Sequence, residues 1–357
     1  MSFFILPKTT NTINISPICS VNRCQPYLSY SFLTYYLDVK KQIIEMFTFD
    51  NDLSDNTFEE AIRIINPYEF IFSKVPGSRF SVSKLKPNSN LFYDLFEIFN
   101  NLNIFEDFKT HSIKSLHVSP NCDDTVHCYE MFREGFTDVV RTVDHIDINS
   151  NQYENDFEYI FFETNITNER QYFISLFEVL ITIFRSQKNN GNIIIKIKDV
   201  LHKPVIDTIY MLTSLYEKVY IVKPNTNNIS SLERYVVCKS FKYNEKSRTY
   251  LRLNSIKLII FLKKLEDNHI TGILDFDLSC YFKNKIDEIN IIIGQQQIDA
   301  LDQIIYIFKN KNKNDKIETI KKSNIQKSVS WCEKYKIPCN KFVEKINIFL
   351  PVMNETI

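Results

Sequence analysis

The sequence predicts an α/β protein: a mostly parallel sheet covered by helices on both faces, with one antiparallel edge strand and a helical C-terminal extension. Three observations carry that expectation. Between Ile113 and Phe241, short β-like runs alternate with longer helical ones, which is the pattern of βαβ units. The strand candidates include continuous apolar runs such as Ile193-Ile194-Ile195, which suit a sheet buried on both faces. The last two strand candidates are separated by only about ten residues without a helical pattern, too few for a crossover, so one of them runs antiparallel.

The elements follow in order. Residues 1 to about 50 mix polar turns with an aromatic stretch, Tyr27 to Tyr36, whose structure the pattern leaves open. Helical spacing covers Phe58 to Ile65. After the Pro76-Gly77 turn and the segment Phe80 to Pro87, apolar residues recur at intervals of three and four from Leu91 to Leu102, which predicts an amphipathic helix. Strands are expected at Leu116–Ser119, Val139–Val143, Tyr159–Glu163, Asn192–Ile197, Lys218–Lys223 and Arg234–Ser240. Helices are expected at Thr125–Arg133, Asn168–Ser186 and Lys203–Leu215, and again at Tyr250–Leu265, Leu278–Phe308 and Asn324–Tyr335. The Lys/Asn-rich tract Lys309 to Lys327 reads as a solvated loop or helix face. Three regions result: an N-terminal accessory segment (1–65), a central α/β domain (66–245) and a helical C-terminal extension (246–357).

Composition excludes several functions. Forty-three basic residues balance 43 acidic ones, so no global field draws the chain to nucleic acid or membrane, and any polyanion site must be local. Five scattered glycines cannot build a Walker loop or a dinucleotide fingerprint. Eight cysteines without a C-x-x-C pair read as reduced thiols. His111, His127 and His145 share no metal-ligand spacing with each other or with a cysteine, so no metal is expected; His117, within an apolar strand, reads as a core histidine. The first seven residues lack a signal-peptide pattern and no run reaches membrane-spanning length, so a soluble, cytoplasmic protein is expected. Trp331, near Tyr335 and Pro338, reads as a packing anchor.

The segment with the most specific chemistry is Asn190-Gly191-Asn192-Ile193-Ile194-Ile195-Lys196, a turn and an apolar strand ending on a lysine. It is followed by Val219-Tyr220-Ile221-Val222-Lys223-Pro224, then by Ser230-Ser231-Leu232-Glu233-Arg234-Tyr235-Val236-Val237-Cys238. This order resembles the C-terminal half of the FtsJ-like RNA ribose 2′-O-methyltransferases, and looks most like their divergent branch in large nucleocytoplasmic DNA viruses. The resemblance is good over residues 188–242 and weaker over 66–187. It implies a Rossmann-like methyltransferase fold for residues 66–245, S-adenosylmethionine as cofactor and a Lys-Asp-Lys-Glu catalytic tetrad. Lys196 matches the central lysine and Glu233 the final glutamate. Glu163 stands where the family has an aspartate, which moves the carboxylate by one methylene, about 1.5 Å. Lys84, with Lys86 close behind, is the choice for the first lysine.

The tetrad answers a chemical need. A ribose hydroxyl is a poor nucleophile near neutral pH and requires a positioned base for in-line attack on a sulfonium methyl. A lysine serves as that base only if its pKa falls well below about 10.4, so burial and nearby cations are expected to depress it. For the donor, the family has an acidic or polar residue followed by Pro-Gly-Gly-Phe. This chain has Ser119-Pro120-Asn121-Cys122-Asp123-Asp124, in which Asn and Asp could retain a left-handed turn. Ser119, Pro120 and Asn121, with Asp144 or Asp147 for the adenosine ribose, are the donor-site candidates.

Two functions are therefore expected from the sequence. One is an active RNA 2′-O-methyltransferase acting on capped, plausibly viral, mRNA. The other is a catalytically inert relative serving as an RNA-binding, regulatory or structural subunit with a viral protein partner, in the host cytoplasm or the virion. Lys196 and Glu233 favour the first; the altered donor turn and Glu163 favour the second. No preference for DNA and no membrane partner is implied.

Overall fold

In the computed structural model the described residues are 1–9, 13–49, 56–146, 157–165, 167–242, 245–310 and 314–340. The strands are β1 (Ser2–Ile5), β2 (Ile18–Ser20), β3 (Lys114–Val118), β4 (Val139–Val143), β5 (Phe157–Glu163), β6 (Gln187–Ile197), β7 (Tyr216–Lys223), β8 (Arg234–Phe241) and β9 (His269–Gly272). The helices are α1 (Tyr30–Phe49), α2 (Asn56–Ile65), α3 (Leu91–Leu102), α4 (Asp123–Phe132), α5 (Glu169–Ser186), α6 (Lys203–Leu215), α7 (Glu245–Lys263), α8 (Cys280–Lys309) and α9 (Asn314–Lys334).

Seven strands form the main sheet in the order β1-β7-β8-β6-β5-β3-β4, while β2 and β9 pair separately. Strands β4, β3, β5 and β6 are mutually parallel. The expected antiparallel strand is β8, but it is not the edge. It lies between β6 and β7, antiparallel to both, and β1 closes that side by pairing antiparallel with β7. The short β7–β8 connection thus makes a hairpin whose second strand inserts next to β6. A four-residue strand far away in sequence supplies the edge, with Phe3 and Ile5 half exposed along it.

The central strands are apolar because each side chain meets a helical layer, and the period-two alternation sorts them cleanly. Ile160, Phe162, Ile193, Ile195, Val236 and Cys238 enter one core with residues of α5, α6 and α7. Tyr159, Phe161, Ile194, Tyr235 and Val237 enter the other, with α3, α4 and Trp331. His117 is wholly buried in this second layer, its Nδ1 3.0 Å from Thr125 Oγ1, and burial pushes its pKa down to about 3, so it is a neutral core histidine. Trp331 packs 4.6 Å from the Tyr335 ring and 5.9 Å from the Tyr93 ring, centre to centre.

The N-terminal aromatic stretch opens a 20-residue helix, α1, which packs with α2 and α8 in a third core built on Tyr36, Ile43, Ile64, Leu301 and Ile304. Close approach sets this contact, because a Cβ on Gly294 would stand 2.7 Å from the Phe32 ring. The Lys/Asn-rich tract is helical from Asn314 onward; residues 311–313 and Asp147 lie outside the described residues.

The turn before the β6 core is also tight. A Cβ on Gly191 would meet Glu158 O and Lys188 O at 2.9 Å, and Gln187 Nε2 closer still. Gln187 cannot swing away freely, because it bonds Phe157 O at 3.0 Å and Tyr216 Oη at 3.0 Å. Gly191→Ala is expected to destabilise the fold by about 1–3 kcal/mol, the ordinary cost of overpacking, read as a lower urea midpoint. An unchanged midpoint would contradict this reading of the turn.

Candidate active site

Strand register assembles the site. Glu163 ends β5 directly opposite Lys196 on β6, and Lys196 lies opposite Tyr235 on β8. Side chains in one cross-strand row share a face, and by alternation this is the face covered by α3. Glu233, two residues before Tyr235, falls on the same side. The Lys196 ammonium consequently sits 2.9 Å from Glu163 Oε1 and 3.8 Å from Glu233 Oε2, with all three side chains about one-fifth to one-quarter exposed. Ser119, just beyond β3, joins them by donating from Oγ to Glu163 Oε2 at 2.6 Å.

Beneath this cluster lies a layer the sequence reading missed. The carboxylate of Asp94, on α3, is fully buried and accepts hydrogen bonds from Thr226 Oγ1 (2.6 Å), Asn227 Nδ2 (2.8 Å) and Tyr235 Oη (2.8 Å). Burial raises its pKa, while those three donors and the Lys196 charge oppose the rise. The signal was present as an acid inside the apolar run Leu91-Phe92-Tyr93-Asp94-Leu95-Phe96. Lys223 was also missed as a structural group. Its buried ammonium donates to Asn227 Oδ1 (2.5 Å), Asn228 O (2.9 Å), Ser231 O (2.8 Å) and Glu233 O (3.0 Å), gathering the loop that delivers Glu233. Burial pushes Lys223 down to about 7.

The electrostatics reverse one expectation. Burial alone would depress Lys196, but Glu163 and Glu233, with Asp94 behind them, hold its pKa above the usual lysine value of 10.5. Lys196 is therefore an ammonium at neutral pH, because its neighbours are carboxylates where the base argument called for cations. Lys84 is not joined to this cluster by any contact. Its side chain is exposed and makes no hydrogen bond or ion pair among the described residues. Its backbone N–H donates to Pro338 O at 2.9 Å.

Ser119, Pro120 and Asn121 follow β3, which neighbours β5 where strand order reverses, the crevice at which open α/β sheets hold ligands, and Asp144 follows β4 on the other side of β3. Ser119 is buried, Pro120 and Asn121 are exposed, and the turn is stapled by Asn121 N–H to Ser119 Oγ at 3.3 Å. The suggested left-handed turn is not used, since none of residues 119–124 has a positive φ. Asp144 follows β4, exposed and without a partner among the described residues, and acts electrostatically on Cys122. Asp124 is committed elsewhere, accepting from Asn88 N (2.8 Å) and Ser89 Oγ (2.6 Å).

The sheet, its inserted antiparallel strand and the cluster at the carboxyl ends of β5 and β6 define an α/β Rossmann-like fold of the methyltransferase type with a helical C-terminal part. No family model matches the chain. Over 124 residues, 34% of the chain, it is 27% identical to cap-specific mRNA (nucleoside-2′-O-)-methyltransferase 1 of Dictyostelium discoideum. Over 135 residues, 36% of the chain, it is 25% identical to the protein of the same name from Drosophila melanogaster. The matched stretches cover 16% and 17% of those relatives' length. A solved structure described as a ribosomal RNA methyltransferase of Plasmodium falciparum aligns over 43% of this chain and 98% of its own at a TM-score of 0.31 and 15% identity. Phosphoethanolamine N-methyltransferase 2 of Haemonchus contortus, with S-adenosyl-L-methionine, aligns over 44% of this chain and 39% of its own at a TM-score of 0.29 and 14% identity. The fold assignment rests on strand order and not on these low scores.

The raised pKa has a measurable sign. Because the folded value lies above the unfolded one, the Lys196 pairing stabilises the protein fully below pH 10.5, and that stabilisation is lost as pH rises through the raised value. A 13Cε titration of Lys196 should give a midpoint above 10.5, and Glu163→Gln should move it downward. A wild-type midpoint below 10.5 would contradict the carboxylate-locked ammonium.

Proposed function

We propose that the chain is an S-adenosylmethionine-dependent RNA ribose 2′-O-methyltransferase acting on capped mRNA. The observation that carries the reading is the in-register row of Glu163 and Lys196, joined by Glu233, at the carboxyl ends of strands beside the β3–β5 crevice. The stretch of similarity to cap-specific methyltransferases supports it. The crevice residues suit the donor: Asp144 offers an unpaired carboxylate to ribose hydroxyls, and Ser119, Pro120 and Asn121 supply the turn against which the methionine moiety would lie.

When bound, the donor supplies an electrophilic methyl and a fixed positive charge. The chain's own residues do the rest. Glu163 and Glu233 orient the Lys196 ammonium toward the crevice. Lys196 must release its proton before it can accept one from the ribose hydroxyl, and any cation brought close favours that release by opposing the carboxylates. Lys84, which makes no contact with this cluster among the described residues, enters the tetrad only through the sequence resemblance.

A second reading, a catalytically inert subunit that binds RNA or a protein partner, is favoured by one contact. The Ser119–Glu163 hydrogen bond occupies a carboxylate oxygen at the crevice mouth.

The test is transfer of labelled methyl from S-adenosylmethionine to capped and uncapped RNA. The wild type should methylate capped RNA, and Lys196→Met should be slower by at least about 100-fold, the lower range for loss of a general base, with the helical circular-dichroism signal retained. Equal rates in the two would remove Lys196 from the mechanism. A wild type that transfers nothing would leave the second reading.

A further inference from the structure

A second concave surface lies where residues 72–87 meet the C-terminal segment. This cleft, of about 390 Å³, is lined by Lys74, Arg79, Lys84 and Lys86, with Phe72 and Phe80 among its remaining walls. Among the described residues no carboxylate lines it. All four cations are exposed, and none is hydrogen-bonded or ion-paired through its side chain among the described residues. In a chain with equal numbers of acids and bases, this is a local positive field with no counter-charge on its walls among the described residues.

The cations stand on a fixed backbone. Val75 N bonds Phe80 O at 3.0 Å and Ser78 N bonds Val75 O at 2.9 Å, closing a turn around Gly77, whose φ of 74° favours glycine. Val82 N bonds Phe70 O at 2.8 Å, and Asn340 clamps the other side, from N to Val82 O at 2.7 Å and from Nδ2 to Ser81 O at 3.0 Å. Phe80 is 57% exposed, a ring that packing does not explain. Cations that track a backbone, beside an aromatic face, are the features that hold single-stranded nucleic acid.

We propose that this cleft binds the phosphate groups of single-stranded RNA, with a base stacked on Phe80. The choice of RNA rests on the function proposed above, since Lys84 belongs both to this cleft and to the suggested tetrad.

The test is fluorescence anisotropy of a 5′-labelled single-stranded oligoribonucleotide against the full chain, from 50 to 300 mM salt. Inorganic tripolyphosphate serves as competitor. The variants avoid Lys84. The triple substitution Lys74→Ala, Arg79→Ala, Lys86→Ala should weaken binding by about 100-fold at 0.1 M salt and reduce the salt slope by about two, given roughly 0.7 per phosphate contact on a single strand. Phe80→Ala should weaken it by about tenfold with the slope unchanged. Thermal melts of the variants should match the wild type, because the altered side chains are exposed. Wild-type affinity and slope in the triple variant would overturn the proposal, as would a wild type that leaves the RNA unbound. Methyl transfer is measured separately from binding, so the two can fail independently. RNA binding lost in the variants of a protein that transfers no methyl supports the cleft and counts against the enzyme; methyl transfer with unaltered binding in the variants does the reverse.

Discussion

The carboxylate of Asp94 is buried on α3 with no water-facing side, and the loop from Pro224 to Glu233 takes its shape from satisfying it. A buried anion is expensive unless hydrogen-bonded, and hydrogen bonds to a charged group contribute about 1.5–3 kcal/mol each. Thr226, Asn227 and Tyr235 supply three of them, so the loop and the start of β8 must close onto α3. Lys223 pulls the same loop from inside through four acceptors. The outer elements add further ties. Tyr36 Oη bonds Ser230 O at 2.7 Å, Asn66 Oδ1 accepts from Ile229 N at 3.0 Å, and Gln297 Nε2 reaches Ser231 O at 2.6 Å. Residues from α1, the end of α2, and α8 thus fix the segment that presents Glu233. The helices outside the sheet take part in building the site.

That closure sets the charge balance. Three carboxylates act on one ammonium in a partly buried place, and the result is a lysine held above its ordinary pKa rather than below it. A resting site of this kind is locked: Lys196 is oriented but protonated. Chemistry requires a change of charge around it, and under the proposed function that change accompanies ligand binding.

Most of the sheet was legible because its signals are local. The run Ile193-Ile194-Ile195, the helix spacing over Leu91–Leu102 and the Pro-led helix from Lys203 each declare themselves within a dozen residues. The β1 edge strand and the β2–β9 pair were not, since strands of three or four residues with partners more than two hundred residues away leave no periodic trace. The position of β8 between β6 and β7 follows from hairpin closure and sheet packing, which no window reveals. In the site, the strand-terminal Lys196 and Glu163 stood out because each ends an apolar run. The direction of the Lys196 shift did not, because it depends on how near Glu163 and Glu233 come to the ammonium once β5, β6 and β8 are in register, with Asp94 adding a smaller contribution from α3. Lys84 was chosen by motif, and folding places it on a basic cleft among lysines and an arginine.

The most direct measurement is a calorimetric titration of the full chain with S-adenosylmethionine. Under the proposed function, Ser119, Asn121 and Asp144, beside a charge cluster that a cation can relieve, predict one-to-one binding near the micromolar scale, about 8 kcal/mol. It also predicts proton release that varies with the ionisation enthalpy of the buffer, as Lys196 gives up its proton. Absence of heat at millimolar donor would contradict the account of this crevice as a methyl-donor site.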